Sequence, residues 1–400
     1  MVQTCPVHAH PKLFEGEFFN NPYQLYADLH ADGRPIEVCL VDNSPVWMVT
    51  RYEDVHAGLR DRRLARPRKY AGPQFITERL PEGVRVGGLV YTDPPEHTRL
   101  RRFVSHVFLP KNIERLRPRI QEVIDGLLDK MAEKSEAELV REFAVPLPAT
   151  MISEIIGIPH KYVAEMKEWS DLLLGGTDEE NAHVQVRVRE MIMEMKDDKI
   201  REPKDDLMSH WMFGKDKDGV GLHPQEVSTF VGAVLFAGFD TTAGTISNAV
   251  LALFDHPELL QRIKEDPDQI PQAAEELIRV GTAVHNGFRR FATEDLEIGG
   301  VTIKSGDTVY LNLAAANRDP DIFTDPDILD VDRDDVSKHI AFGGGPHFCT
   351  GADLGRLEIQ LSLRSLLARF PDISLAVPRE ELKWRTSPNI ITLADLPVKY

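Results

Sequence analysis

One stretch limits the possible architectures more than any other. From Pro224 to Phe254 the chain is apolar on most sides, with Val227, Phe230, Val231, Val234, Leu235, Ile246, Val250 and Leu251, and it stops before Asp255-His256-Pro257. Proline near the first turn suits a helix start, and the closing Asp-His-Pro suits a stop. About thirty residues at roughly 1.5 Å each cross a whole domain. A helix apolar all round has to lie inside, so the rest of the fold is built around it. Its run Val231 to Phe239 ends at Asp240 and is far too short to span a bilayer.

The surrounding pattern is mostly helical. Pro22 to His30 predicts a helix, Asp32-Gly33 a turn, Val46 to Thr50 a strand, and Tyr52 onward a short helix. Ile113, Leu116, Ile120, Ile124, Leu127 and Met131 recur every three or four residues, as a half-buried helix requires, with Pro118 disturbing its first turns. Pro271 to Val280 predicts another helix that Gly281 can end. Then the period changes: Leu296 to Ile298, Gly299-Gly300 and Val301 to Ile303 predict a hairpin, followed by a strand from Thr308 to Leu313. The expectation is a mainly α fold with small β-sheets (α+β). With no internal repeat and no Gly/Ser- or Pro-rich linker, it forms one domain over 1–400, of which 1–20 is an irregular N-terminal segment.

A net charge of −17 opposes generic binding to a phosphate backbone, which sets nucleic acid aside. Three cysteines, Cys5, Cys39 and Cys349, are too few for a disulfide framework and suit a reducing cytoplasm. Met1 to Pro22 has neither the basic nor the apolar region of a secretory signal. The expectation is a soluble, cytoplasmic protein.

The chemistry concentrates in Phe342-Gly343-Gly344-Gly345-Pro346-His347-Phe348-Cys349-Thr350-Gly351, directly before a helix carrying Leu354, Leu357 and Leu361. Glycines let the backbone turn tightly and point amides toward one atom. A thiolate at a helix start is favoured by the dipole and the unpaired amides, which lower its pKa, so Cys349 is poised as ligand or nucleophile. A glycine loop before a helix also suits a phosphate, and a buried cysteine is often a small hydrophobe. The P-loop ending Lys-Ser/Thr is missing, however, and no second cysteine stands close enough for zinc.

The ten-residue pattern resembles the heme-binding loop of the cytochrome P450 family, in which a Cys thiolate holds the iron. Glu276-Leu277-Ile278-Arg279 resembles the family's Glu-x-x-Arg motif. Glu275, four residues from Arg279, would pair as well by spacing, and only the family pattern selects Glu276. Arg318-Asp319-Pro320 through Phe323 to Arg333 resembles the segment before the heme loop, which implies that Arg333 joins the Glu276–Arg279 pair.

Ala237-Gly238-Phe239-Asp240-Thr241-Thr242 places an acid and a glycine mid-helix, where both are poor residues. Small side chains at Ala237 and Gly238 would admit a flat cofactor, and a Thr hydroxyl would open or kink the helix. Helix packing through small residues is the plainer alternative. The resemblance implies that Asp240 and Thr241 are the acid–alcohol pair that guides protons to bound dioxygen. It also implies that His97, Arg101, Arg290 and His347 hold the heme carboxylates, with Phe342 beside the ring. Arg289 competes with Arg290.

The resemblance runs from about Asn21 to Leu396. Thr350 and Gly355 depart from the usual apolar residue and Ala, and Gly281 to Asn286 lacks the usual Pro. For the pocket it implies Leu89, Val90, Ala233, Val284, His285, Asn286, Ile390 and Ile391, mostly small or apolar. His285 and Asn286 would bind an oxygenated group unless they point into the sheet. Such a pocket favours a polyketide or terpenoid over a bare alkane or fatty acid. Arg60, Arg62, Arg63, Arg66, Arg68 and Lys69 read as a solvated face, with carboxylate recognition as the sharper alternative. The implied activity is heme-thiolate monooxygenation of a small organic substrate, with heme b as cofactor and O2 as cosubstrate. No flavin or nicotinamide fingerprint is present, so electrons are expected from separate proteins; the resemblance implies a ferredoxin and an NAD(P)H-dependent ferredoxin reductase. Arg102 and Arg356 would flank the face beneath the cysteine loop and attract an acidic ferredoxin. A peroxide-driven peroxygenase and a heme sensor or carrier are the alternatives. A monomer without nucleic-acid or membrane partners is expected.

Overall fold

The computed structural model of the chain describes residues 18, 22–31, 33–40, 44–75, 88–175, 177–385, 387 and 389–400. Residues 1–17, with Cys5, and also Asp32 and Gly87 lie outside them.

Helices come in the order α1 (Pro22–Ala31), α2 (Tyr52–Gly58), α3 (Glu96–Ser105), α4 (Pro110–Met131), α5 (Pro146–Ile156), α6 (Met166–Gly175), α7 (Asp178–Arg201) and α8 (Leu207–Phe213). They continue as α9 (Pro224–Asp255), α10 (Pro257–Glu265), α11 (Ile270–Gly281), α12 (Leu313–Ala316) and α13 (Ala352–Arg369). The long apolar helix is α9, 32 residues without a break, with Pro224 in its first turn and the Glu226 carboxylate accepting the His223 amide at 2.7 Å. It is long and apolar enough to cross a membrane, yet half of its most apolar stretch is buried inside the protein. It is the axis of the main core, packed by α5, α11 and α13, with α4 behind α13.

The glycines of α9 explain part of this packing. A Cβ on Gly238 would lie 2.5 Å from Ile152 Cγ1 of α5. One on Gly244 would collide with Thr392. Both residues are small because neighbouring segments approach, and for Gly238 this corrects the cofactor role expected of it.

Two smaller cores lie under a five-stranded sheet ordered β1 (Ile36–Cys39), β2 (Pro45–Val49), β8 (Thr308–Leu311), β5 (Arg290–Ala292) and β3 (Leu64–Ala65). Only the β2–β8 pair is parallel, with Trp47 opposite Val309. β4 (Glu136–Glu138), β10 (Pro397–Lys399) and β9 (Ser374–Leu375) form a second sheet. The hairpin of β6 (Leu296–Ile298) and β7 (Val301–Ile303) turns through Gly299 at φ 54° and Gly300 at φ 76°, positive values that glycine takes without strain.

Two boundaries differ from expectation. α4 begins at Pro110 and carries Pro118 inside it, because an apolar period buried against the core outweighs one lost backbone bond. The strand from Thr308 ends at Leu311, because Asn312 Oδ1 accepts the Ala315 amide at 2.7 Å and starts α12.

Candidate active site

The loop from Phe342 to Gly351 turns through Gly343 and Gly345, both at positive φ. A Cβ on Gly345 would lie 2.6 Å from the Leu59 carbonyl, so close backbone approach fixes glycine there. The Cys349 amide returns to the Phe342 carbonyl at 2.9 Å, closing the loop. Cys349 is a free cysteine with accessible surface. Even so, desolvation by the surrounding atoms pushes its thiol up, against the Gly351 amide, Arg101 and Arg356, which pull it down. Accessible surface together with desolvation places the sulfur on an internal space. The lowered pKa expected from the helix start is overturned: here burial outweighs dipole and amides.

α9 faces this region across α13, where a Cβ on Gly355 would touch Thr242 Oγ1 at 3.7 Å. Ala237 is exposed between buried Leu235 and Phe239, which marks open space inside the helix packing. Thr241 is half-buried, and its hydroxyl donates to the Ala237 carbonyl at 2.8 Å while the helix stays unbroken, contrary to the expected opening. Asp240 points the other way and is only 4% exposed. Its Oδ1 accepts from Ser170 Oγ at 2.8 Å and from Arg385 at 2.6 Å. Arg385 also donates to Ser170 at 2.8 Å and lies 3.3 Å from Asp171. One cation thus joins α6, α9 and the C-terminal segment. Arg385 carries no motif, and the sequence reading missed it.

A basic cluster forms at the edge of the same region. The His97 and His347 rings meet at a 47° tilt with centroids 4.1 Å apart, and His347 Nε2 is 3.8 Å from Asp93 Oδ1. Burial keeps both imidazoles neutral, with His97 pushed down to about 4 and His347 to about 3. Arg101 donates to the Pro346 and Phe348 carbonyls at 2.9 and 2.6 Å, bracing the cysteine loop. Arg290 is buried and donates to the Leu64 carbonyl at 3.0 Å. Arg289 donates instead to Tyr310 Oη at 2.9 Å. Arg66 is buried too, so the expected solvated face does not extend to it; Arg62, Arg63, Arg68 and Lys69 are exposed. His97 Nε2, His347 Nε2 and Arg66 Nε are buried without partners. Among the described residues, three guanidinium groups and two orphaned imidazole nitrogens face Asp93, with Asp61 also acting on Arg290, and this excess calls for negative charge. The two carboxylates of heme fit that demand, and Cys349 fits its iron.

Below the loop, Glu276 and Arg279 form a bidentate pair at 2.7 Å, fully buried, and Arg333 Nε joins at 3.1 Å. Glu275 instead holds Arg356 at 2.7 Å and His339 at 3.0 Å, and Arg356 lies over the Phe342 ring at 4.5 Å. Arg356 is therefore committed to the loop rather than offered to a partner protein. Arg102 is exposed and lines a cleft with Arg62, Arg99, Asp216 and Asp218.

Of the residues implied for the pocket, Leu89, Val90, Ala233, Val284 and Ile390 keep accessible surface, and Val284 and Ile390 bridge as antiparallel neighbours. His285 and Ile391 face the opposite side. His285 is 1% exposed and bonds Tyr26 Oη through Nδ1 at 3.1 Å, and Ile391 packs in the core under the sheet. Asn286 is as buried as His285, with its backbone bridged to Asn312. These three are corrected: alternation along the strand turns His285 and Ile391 inward, and burial closes Asn286 to a ligand.

Comparison with known proteins agrees with this geometry. The cytochrome P450 family model matches residues 6–158, 149–275 and 270–381. Cytochrome P450 107B1 of Saccharopolyspora erythraea is 38% identical over 396 residues, 96% of each chain. The polyketide biosynthesis cytochrome P450 PksS of Bacillus subtilis is 33% identical over 408 residues, 99% of each chain. Its solved structure aligns with a TM-score of 0.88, covering 98% of this chain and 99% of that one. Myxobacterial cytochrome P450 CYP267B1, solved with myristic acid, gives a TM-score of 0.91 at 34% identity, covering 98% and 99%. The chain belongs to the cytochrome P450 family. It is accordingly a monooxygenase and an oxidoreductase, using heme with a cysteine thiolate, O2, and electrons that reach it from NAD(P)H through partner proteins.

Proposed function

We propose that this chain inserts one oxygen atom into a natural product, with the balance RH + O2 + 2e⁻ + 2H⁺ → ROH + H2O, on heme b held by Cys349. The observation that carries the reading is the Cys349 thiol, free and desolvated on an internal space across from α9. When bound, heme supplies the one-electron and dioxygen chemistry. The chain's residues do the rest. His97, Arg101, Arg290 and His347 would hold its carboxylates. Thr241 Oγ1 already donates to Ala237, so toward the open side it acts as acceptor and passes a proton by exchange. Asp240, fixed by Ser170 and Arg385, is the acid from which that proton is replenished.

Leu89, Val90, Ala233, Val284 and Ile390 favour a ligand that is mostly hydrocarbon. With His285 and Asn286 withdrawn, support for a polyketide-like substrate comes from the relative named for polyketide biosynthesis. In our reading the protein works as one soluble cytoplasmic domain, a monomer served by a ferredoxin and its reductase, without nucleic acid or membrane partners.

The reduced carbon-monoxide complex should show the red-shifted thiolate spectrum, and Cys349→Ala should lose it. Thr241→Ala should keep the spectrum while product per NAD(P)H falls roughly tenfold and peroxide accumulates. A thiolate spectrum in Cys349→Ala, or unchanged coupling in Thr241→Ala, refutes the corresponding role. Peroxide supporting turnover as well as the electron partners do would select the peroxygenase reading instead.

A further inference from the structure

Arg66 stands out in the basic cluster because the family resemblance gives it no role. It follows the buried pair Leu64-Ala65 of β3, whose strand direction carries it inward while Arg62, Arg63 and Arg68 stay exposed. It is 7% exposed. One terminal nitrogen donates to the Val90 carbonyl at 3.0 Å, and the guanidinium lies 5.6 Å from the Phe288 ring centroid. Nε is buried without a partner, and the other terminal nitrogen makes no hydrogen bond among the described residues. Asp93 is the neighbouring acid, but its Oδ2 takes the Arg66 backbone amide at 3.1 Å, and Oδ1 faces His347. Arg290, His97 and His347 lie near enough to act on the same charge. Burial, then Arg290, pushes the Arg66 guanidinium down to about 9, still protonated at neutral pH. Phe288 is 45% exposed, and Val90 belongs to the turn Leu89–Tyr91 that lines the candidate pocket. Arg66 therefore stands between the basic cluster and the substrate side, with Nε aimed where no acceptor sits among the described residues.

We infer that Arg66 binds a carboxylate at this edge, either a heme carboxylate or the carboxylate of an acidic substrate. Planar guanidinium donors match a carboxylate, and the orphaned Nε supplies the missing half of a bidentate contact. The inference rests on the heme reading above. A wild-type protein without the thiolate–heme spectrum would defeat that reading, whereas the measurements below presuppose it.

Heme loss from the holoenzyme to excess apomyoglobin is compared in wild type, Arg66→Gln, Arg66→Lys and Arg68→Gln. Loss of a charge-assisted contact should speed heme release about tenfold or more in Arg66→Gln. Arg66→Lys keeps the charge and should stay within a few-fold, and Arg68→Gln should be silent. Repeating the comparison with heme dimethyl ester, which lacks the carboxylates, should erase the difference between wild type and Arg66→Gln if heme is the ligand. If a substrate is the ligand, heme loss is unchanged, but a fourteen-carbon fatty acid binds about tenfold more weakly to Arg66→Gln in a spectral titration, and its methyl ester does not. Unchanged heme loss together with unchanged fatty-acid binding overturns the inference. So does faster loss that persists with the dimethyl ester, which would mark Arg66 as a brace for Val90 alone. Should Arg66→Gln fail to fold, the same two arms applied to Arg66→Lys decide it: the heme arm would then show a smaller acceleration that the ester abolishes.

Discussion

At the scale of single residues, Asp240 and Arg385 show how much a buried charge depends on its partner. Asp240 is 4% exposed and shares Ser170 with Arg385 across 2.6 to 2.8 Å. Removing one member of such a pair leaves an uncompensated charge, which costs about 3–5 kcal/mol, more than the pair itself contributes. Arg385→Gln should therefore lower unfolding stability by about 3 kcal/mol, and Asp240→Asn in the same chain should restore most of it, because no lone charge then remains. Chemical denaturation of the two single variants and the double variant measures this. Additive losses would mean that the two side chains are not coupled. Spacing alone did not reveal this lock, because Arg385 meets Asp240 across a sequence separation of 145. The family resemblance pointed to Asp240, while its partners were set by tertiary contact.

At the scale of elements, α9, α11 and the β6–β7 hairpin were legible because each carries its own period and punctuation. The glycines inside helices were not, because the sequence does not say whether a missing Cβ makes room for a neighbour. Gly238 is closed off by Ile152, whereas Gly355 of α13 has room: a Cβ there would sit 3.7 Å from Thr242 Oγ1 and 3.9 Å from Phe342 Cε1, ordinary contact distances. Glycine in a helix interior costs about 0.5–1 kcal/mol relative to alanine, chiefly through unfolded-state entropy. Gly355→Ala should accordingly stabilise the protein by about that amount while leaving the thiolate spectrum unchanged. A lower melting temperature would show instead that α13 and α9 are too close there for a methyl group.

At the scale of the whole molecule, the cofactor cluster and the sheet-side core share one device: histidines held neutral by burial. His97 and His347 lie in the basic cluster, and His285 lies where α1 meets the sheet side, between Tyr23 and Tyr26 with Arg318 as the charge acting on it. Their folded pKa values are lowered to about 4 for His97 and about 3 for His347 and His285. The unfolded chain takes up protons at about 6.5, where the folded chain does not. Stability therefore rises with pH through this window, and it falls as pH drops from about 6.5 toward the folded values. Carboxylates such as Glu276 and Asp93, whose pKa values are lowered, lose their contribution only below the ordinary carboxylate range. In the interval between about pH 6.5 and 5 the buried Glu358, whose carboxyl desolvation pushes well above the usual range, works the other way, so the histidine contribution is read by comparing wild type with a histidine variant. For His285 alone the slope approaches about 1.4 kcal/mol per pH unit. Unfolding of the heme-free protein by urea at pH 7, 6 and 5 should show falling stability, and His285→Gln, although less stable at pH 7, should show a shallower fall. Equal slopes in the two proteins would mean that His285 is already protonated in the fold, against the apolar and aromatic surroundings that bury it.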